Sequence, residues 1–136
     1  MRALPIVAVL ALGLFALSCG DSNTSGPDPE PDPVAGWLSV RLTTSNSDDG
    51  GIMFTVSGGQ IDSIRSSYSE LHTAAAGSTS RRVIVAGTLT PGGVIAEVLV
   101  PNVQSATNYS ATVEQVAARD TYQQRPTSSV SLAVER

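Results

Sequence analysis

Few residues in this chain could do chemistry, and their spacing limits what that chemistry would be. Cys19 is the only cysteine, so it is the one strong nucleophile and no intramolecular disulfide can form. His72 is the only histidine. A nucleophilic triad needs a base beside its nucleophile. The sequence has no Gly-x-Ser-x-Gly elbow and no cysteine near His72, so His72 reads as an ordinary surface or half-buried residue. Glu97 and Glu114 are candidates for a carboxylate pair of the glycosidase kind. Glu97 interrupts an apolar run and Glu114 falls on the polar side of an alternating one, so the pattern does not bring them together. Asn46, Asp48, Asp49 and Asp62 offer the hard oxygen donors that calcium takes. The twelfth position counted from Asn46 is Ser57, where an EF-hand needs a bidentate Glu. Residues 46–51 therefore read as a turn whose side chains bond their own backbone. The expectation is no enzyme, no cofactor and no metal site.

The elements around Cys19 explain it better than any catalytic reading. Met1-Arg2 is a short positive start, and residues 3–17 are an uncharged run of mostly Ala, Leu and Val, the pattern of a secretory signal. The run contains Pro5 and falls short of the roughly 20 residues a spanning helix needs. Cys19 follows directly on the small Ser18 at the end of Leu14-Phe15-Ala16-Leu17. This arrangement resembles the bacterial lipobox. The resemblance implies cleavage before Cys19 and a thiol joined to diacylglycerol, for which sulfur is the needed nucleophile. It also implies more than one acyl chain, which holds a protein to a bilayer stably where a single chain does not. Gly20 stands where some lipoproteins carry the Asp that keeps them at the inner membrane, which favours the outer membrane. The expected partner of Cys19 is thus a membrane of the bacterial cell envelope, and residues 1–18 are expected to be a lipoprotein signal peptide.

Residues 19–35 are expected to be the lipidated cysteine and a disordered spacer. Pro27, Pro29, Pro31 and Pro33 alternate with Asp28, Glu30 and Asp32. Proline holds such a chain extended and like charges stretch it further, while nothing apolar is available to bury.

Residues 36–136 hold eight acidic residues against seven arginines and no lysine. A near-neutral domain without clustered cations lacks the footprint of a nucleic-acid binder. Gly50-Gly51 and Gly58-Gly59 are turn pairs and do not form a phosphate cradle. The apolar period is two. Leu38, Val40 and Leu42 alternate with Ser39, Arg41 and Thr43, and Ile52, Phe54 and Val56 share one face, as in half-buried strands. Further strands are expected at 61–64, 82–87, 94–100, 108–117 and 129–135. The Ser/Thr- and Ala-rich 66–76 fits strand, loop or a helical turn, with strand favoured. Residues 82–87 and 94–100 are apolar on both sides, which predicts central positions. In the last strand Val130, Leu132 and Val134 are expected inside. Short strands with turn signals about every 10 residues predict an all-β fold, a single antiparallel β-sandwich of jelly-roll or immunoglobulin-like form.

The segments Gly51-Ile52-Met53-Phe54-Thr55-Val56, Ile61-Asp62-Ser63-Ile64, Val83-Ile84-Val85-Ala86-Gly87 and Pro91-Gly92-Gly93-Val94-Ile95-Ala96-Glu97-Val98, in this order, resemble the cohesin-type and carbohydrate-module jelly-roll sandwiches of bacterial surface proteins. The resemblance implies the fold. Ser57-Gly58-Gly59 replaces the Tyr-Asp-Pro step of that family, so its dockerin partner is not carried over. Among the aromatic residues, Phe54 and Tyr109 are expected in the core, Trp37 as a cap on the core end, and Tyr68 and Tyr122 at the surface. The functional expectation is a lipid-anchored structural or protein-interaction module. The alternative is a surface glycan-binding domain.

Overall fold

The computed structural model describes Gly26 and residues 28–136. Cys19, residues 1–18 that the sequence reading expects to be a signal peptide, and residues 20–25 and 27 of the expected spacer lie outside the described residues. Among the described residues no helix is long and apolar enough to cross a membrane.

Nine strands follow in chain order: β1 (Gly36–Thr44), β2 (Asp49–Ser57), β3 (Ser63–Arg65), β4 (Glu70–Gly77), β5 (Ser80–Ala86), β6 (Val94–Val100), β7 (Ser110–Ala118), β8 (Gln124–Arg125) and β9 (Val130–Glu135). They form a four-stranded sheet, β3-β6-β1-β9, and a five-stranded sheet, β4-β5-β2-β7-β8. Every pairing is antiparallel. The fold is an all-β sandwich of two antiparallel sheets, as the period of two requires.

The core lies where alternate residues of both sheets meet. Leu38 and Val40 of β1 face Phe54 and Val56 of β2 across one apolar cluster, and all four are fully buried. Val83, Val85, Val98 and Val100 extend it. β-Branched residues suit this half-buried pleated surface.

Two bulges change the phase of the pattern. The β1–β6 register shifts between Val40 and Arg41, with Val40 opposite Ala96 and Arg41 opposite Val94. Ile95 is the extra residue, so Ile95 and its neighbour Ala96 are both buried. The continuous apolar look of 94–100 therefore owes something to a bulge: Glu97 and Leu99 on the outer face stay half exposed. β5 and β6 do occupy interior positions. The second bulge lies in β7, where Met53 pairs with Gln115 and Phe54 with Val113. Glu114 is the extra residue, and the inward set passes from Ala111 and Val113 to Val116 and Ala118.

Residues 49–51 depart from the turn reading. Strand β2 begins at Asp49, and only Ser45–Asp48 connects it to β1. Gly50 serves a close approach: a Cβ there would lie 2.2 Å from the Arg119 Cα, whereas one at Gly51 would meet nothing within 4 Å. The positive-φ glycine of this region is instead Gly58 (φ 130°), after β2, where a Cβ would strike the Asn108 carbonyl. The adjoining loop is tied by Tyr109, whose hydroxyl donates to the Gln60 carbonyl at 2.9 Å. Burial pushes the Tyr109 phenol above its ordinary pKa, and the nearby Asp62 charge adds to this.

The compact unit runs from Pro31 to Arg136. The last spacer residues thus belong to it. The Val103 amide donates to the Val34 carbonyl at 2.8 Å, and the Val34 amide to Asn102 Oδ1 at 3.3 Å. Asn102 also caps the short 3-10 helix Val103–Asn108.

Gly50→Ala is expected to cost more than about 2 kcal/mol, since backbone and not a flexible side chain blocks the new methyl group. Gly51→Ala is expected to be close to neutral. Urea denaturation of the two variants measures the difference.

Candidate functional site

The acidic turn holds an arginine. Asp49 is buried at 1 % exposure. Thr44 Oγ1 donates to its Oδ2 at 2.7 Å, and Asn46 Nδ2 to its Oδ1 at 3.1 Å. Arg125, on β8, completes the cluster: its Nη2 reaches both Asp48 carboxylate oxygens at 2.5 Å. Its Nε lies 3.5 Å from Asp49 Oδ1, buried and without a hydrogen bond. The backbone joins in, with the Arg119 amide donating to the Asp48 carbonyl, Leu89 to Asp49 and Gly87 to Gly50. A cation at this end of the sandwich is thus supplied by the chain's own guanidinium. Asp62 stands at the far end of β2, nine residues or roughly 30 Å away at strand rise, and accepts from Gln60 Nε2. Among the described residues no three His, Cys, Asp or Glu side chains come close enough to hold a metal ion.

The two glutamates lie on different sheets. Glu97, on β6, bonds Arg65 Nε at 2.7 Å. Glu114, on β7, accepts from Thr55 Oγ1 and from Arg82 Nε at 2.9 Å. The Arg65 hydrogen bond holds Glu97 below the usual carboxylate pKa, and the Thr55 hydroxyl, followed by Arg82, does the same for Glu114. Glu97 in turn raises the Arg65 guanidinium. Both carboxylates are held in the charged form, the reverse of a general acid. Exposed His72 lies 3.6 Å from Glu70 on β4.

The aromatic residues divide differently from the expectation. Phe54 and Tyr109 are buried. Trp37 is not a cap on the core end, because alternation with inward Leu38 turns it to the outer face of the first sheet. There Arg65 stacks over its ring at 4.0 Å from the centroid and links it to Glu97. Tyr68 packs against the core, and its hydroxyl accepts from the Thr90 amide at 3.2 Å, so it is not a free surface ring. Tyr122 is the free one, 83 % exposed.

Tyr122 defines the candidate site. It sits in the β7–β8 hairpin at φ 56°, the left-handed region that bulky residues avoid. Such a conformation costs about 1–3 kcal/mol and persists only when its surroundings impose it. Here the Tyr122 amide donates to the Ala118 carbonyl at 3.1 Å, and the Ala118 amide to the Gln123 carbonyl at 2.9 Å. The ring borders a concavity of about 270 Å³ on the outer face of the second sheet, lined by Gly51, Met53, Ile84, Gln115 and Gln124 among others. Ile84 is 40 % exposed. No lining residue is charged. The missing Cβ of Gly51 leaves the floor open. On its other side Tyr122 borders a second hollow with Gly87, Thr88 and Arg119. The site offers an aromatic edge, an apolar floor and two amides, an arrangement suited to holding a ligand. Sequence reading found Tyr122 but missed Met53, Ile84, Gln115 and Gln124. The outward parity of Met53 beside core-facing Phe54 was the available signal.

Compared with known protein families, with curated proteins and with solved structures, the chain finds no match.

Two outcomes test these contacts. Asp49→Ala is expected to cost about 2 kcal/mol because it takes the acceptor from the Thr44 hydroxyl and the Asn46 amide and the counter-charge from beside the Arg125 Nε, while Arg125 stays paired with Asp48, against under about 1 kcal/mol for Asp48→Ala, while chelator leaves the wild-type melt unchanged. In the second, Glu97 and Glu114 have folded pKa values below their unfolded ones, so their stabilisation is present above the ordinary glutamate range and is lost as pH falls through the folded values. Wild type and the Glu97→Gln/Glu114→Gln double variant should differ in stability at neutral pH and converge in acid, as followed by denaturation at stepped pH.

Proposed function

We propose that the chain is a lipid-anchored protein of the bacterial cell envelope whose β-sandwich serves as an interaction module, related in form to the cohesin-like sandwiches. The observation that supports an interaction role is Tyr122, an exposed ring in a strained backbone conformation beside half-buried Met53 and exposed Ile84. Strain at an exposed aromatic points to a role outside packing. The lipobox-like sequence before Cys19 supports the anchor, and Gly20 supports the outer membrane.

A specific observation favours glycan binding as the second reading. Gln115 and Gln124 set amide donors and acceptors beside the Tyr122 ring in an uncharged hollow, the chemistry a neutral polyhydroxylated ligand needs.

Labelled fatty acid is expected to enter the wild-type chain and not Cys19→Ala; label in both, or in neither, rejects the anchor. Crosslinking in intact envelopes is expected to join the wild-type chain to a protein partner, with at least tenfold less product for Tyr122→Ala at an unchanged melting temperature. Equal product for both sinks the interaction face. Retention of the full chain on a glycan array, lost in Gln124→Ala, would select the second reading, and a flat array removes it.

A further inference from the structure

The hollow beside Tyr122 sets a narrow demand on what enters it. Its floor is the outer face of the second sheet. Met53 pairs with Ile84 on one side and with Gln115 on the other. Two residues back along β2, Gly51 leads through Ala117 to Gln124. Two rows across neighbouring strands thus build one surface, in which Met53 is half-buried and Ile84 exposed. At Gly51 the floor is open, since a Cβ there would meet nothing within 4 Å. Beyond Ile84 lies β4, which overhangs the sandwich with every residue but half-buried Leu71 exposed, so the apolar floor ends there. No lining residue is charged. Arg82, one row from Ile84 on the same face, is bonded to Glu114 at 2.9 Å. Arg119 borders the other hollow, across the Tyr122 ring.

These features choose between ligands. A charged group would lose its water here and gain no counter-charge. A sugar carries hydroxyls all round its ring, and Met53, Ile84 and the bare floor at Gly51 offer them no partner. Only hydroxyls beside Gln115 and Gln124 would be met. What fits is flat and apolar, attached to a polar chain. The Tyr122 ring favours a second ring edge-to-face or offset against it, and the Met53 sulfur favours an aromatic neighbour. A closed apolar cavity of roughly 150 Å³ holds one benzene ring. The hollow here, about 270 Å³, has room for a ring and the atoms that attach it. Gln115 and Gln124 are both exposed and stand on the β7–β8 side, placed to bond the peptide groups that flank such a ring. We propose that the hollow seats one aromatic side chain of a protein partner, with the two glutamine amides holding the backbone on either side of it. This rests on the reading of the Tyr122 face as an interaction surface and names what that surface takes.

The test uses the purified full chain, labelled with carbon-13 at the methionine methyl groups, and follows Met53 by NMR. N-Acetylphenylalanine amide is one aromatic side chain between two peptide groups. It is expected to move the Met53 methyl signal upfield, with saturation. N-Acetylleucine amide is expected to need at least a threefold higher concentration for half-saturation, and N-acetylglutamate amide and methyl glucoside to give no shift. Gly51→Leu, which fills the floor from a position with open space, is expected to lose the response at an unchanged melting temperature. Gly51→Ala, a single added methyl group, is expected to weaken it at least twofold. In intact envelopes Gly51→Leu is expected to lose the partner crosslink, as Tyr122→Ala does. No saturable shift with the phenylalanine amide, an equal shift with methyl glucoside, or an undiminished response in both Gly51 variants overturns the proposal. Crosslinking kept in Gly51→Leu and lost in Tyr122→Ala overturns it while leaving the interaction face standing; crosslinking kept in both removes the face as well.

Discussion

The carboxylate of Asp49 is the constraint around which one end of the molecule is arranged. A buried charge must be matched or it destabilises the fold, and every element that meets it does so by contributing a donor or by passing close by. Thr44 reaches it from the end of β1, Asn46 from the β1–β2 connection and Arg125 from β8. Residues 48–50 then fix two loops through three backbone bonds: Arg119 to Asp48 in the β7–β8 hairpin, and Leu89 to Asp49 and Gly87 to Gly50 in the β5–β6 connection. The absent side chain of Gly50 admits Arg119. The hairpin that holds Tyr122 is therefore set by a polar cluster to which it contributes Arg125 and the Arg119 amide. Exposure of Tyr122 and burial of Asp49 are two ends of one arrangement.

Much of the fold was legible from alternation alone. β1, β2, β6 and β7 bury one face each, and a buried face writes a period of two into the sequence. β4 escaped a firm reading for a physical reason, since an overhanging strand wet on both sides needs no apolar period. The phase changes at Ile95 and Glu114 escaped as well, because a bulge is a relation between two strands, and the doubled apolar pair it leaves in β6 reads equally well as a strand buried on both faces.

The candidate site was legible in part. Tyr122 was singled out as exposed, but its neighbours come from β2, β5 and β8, brought together by strand order. Arg125 is 77 residues from Asp48, and sequence offers no means of joining them; an acidic turn read alone suggests side chains bonded to their own backbone, where the fold supplies a guanidinium. Trp37 was misplaced although its parity was available: it precedes inward Leu38 and must face out, where Arg65 meets it.

The bonds at Val34 have a mechanical meaning. Chain entering the domain is gripped by Asn102 and Val103 and continues within two residues into β1, which is flanked by β6 and β9. A strand at a sheet's edge can be peeled away one bond at a time. An interior strand shares a load between the ladders on its two sides. Tension arriving from residues before Val34 would meet the Val34 clamp first and then both neighbours of β1 together.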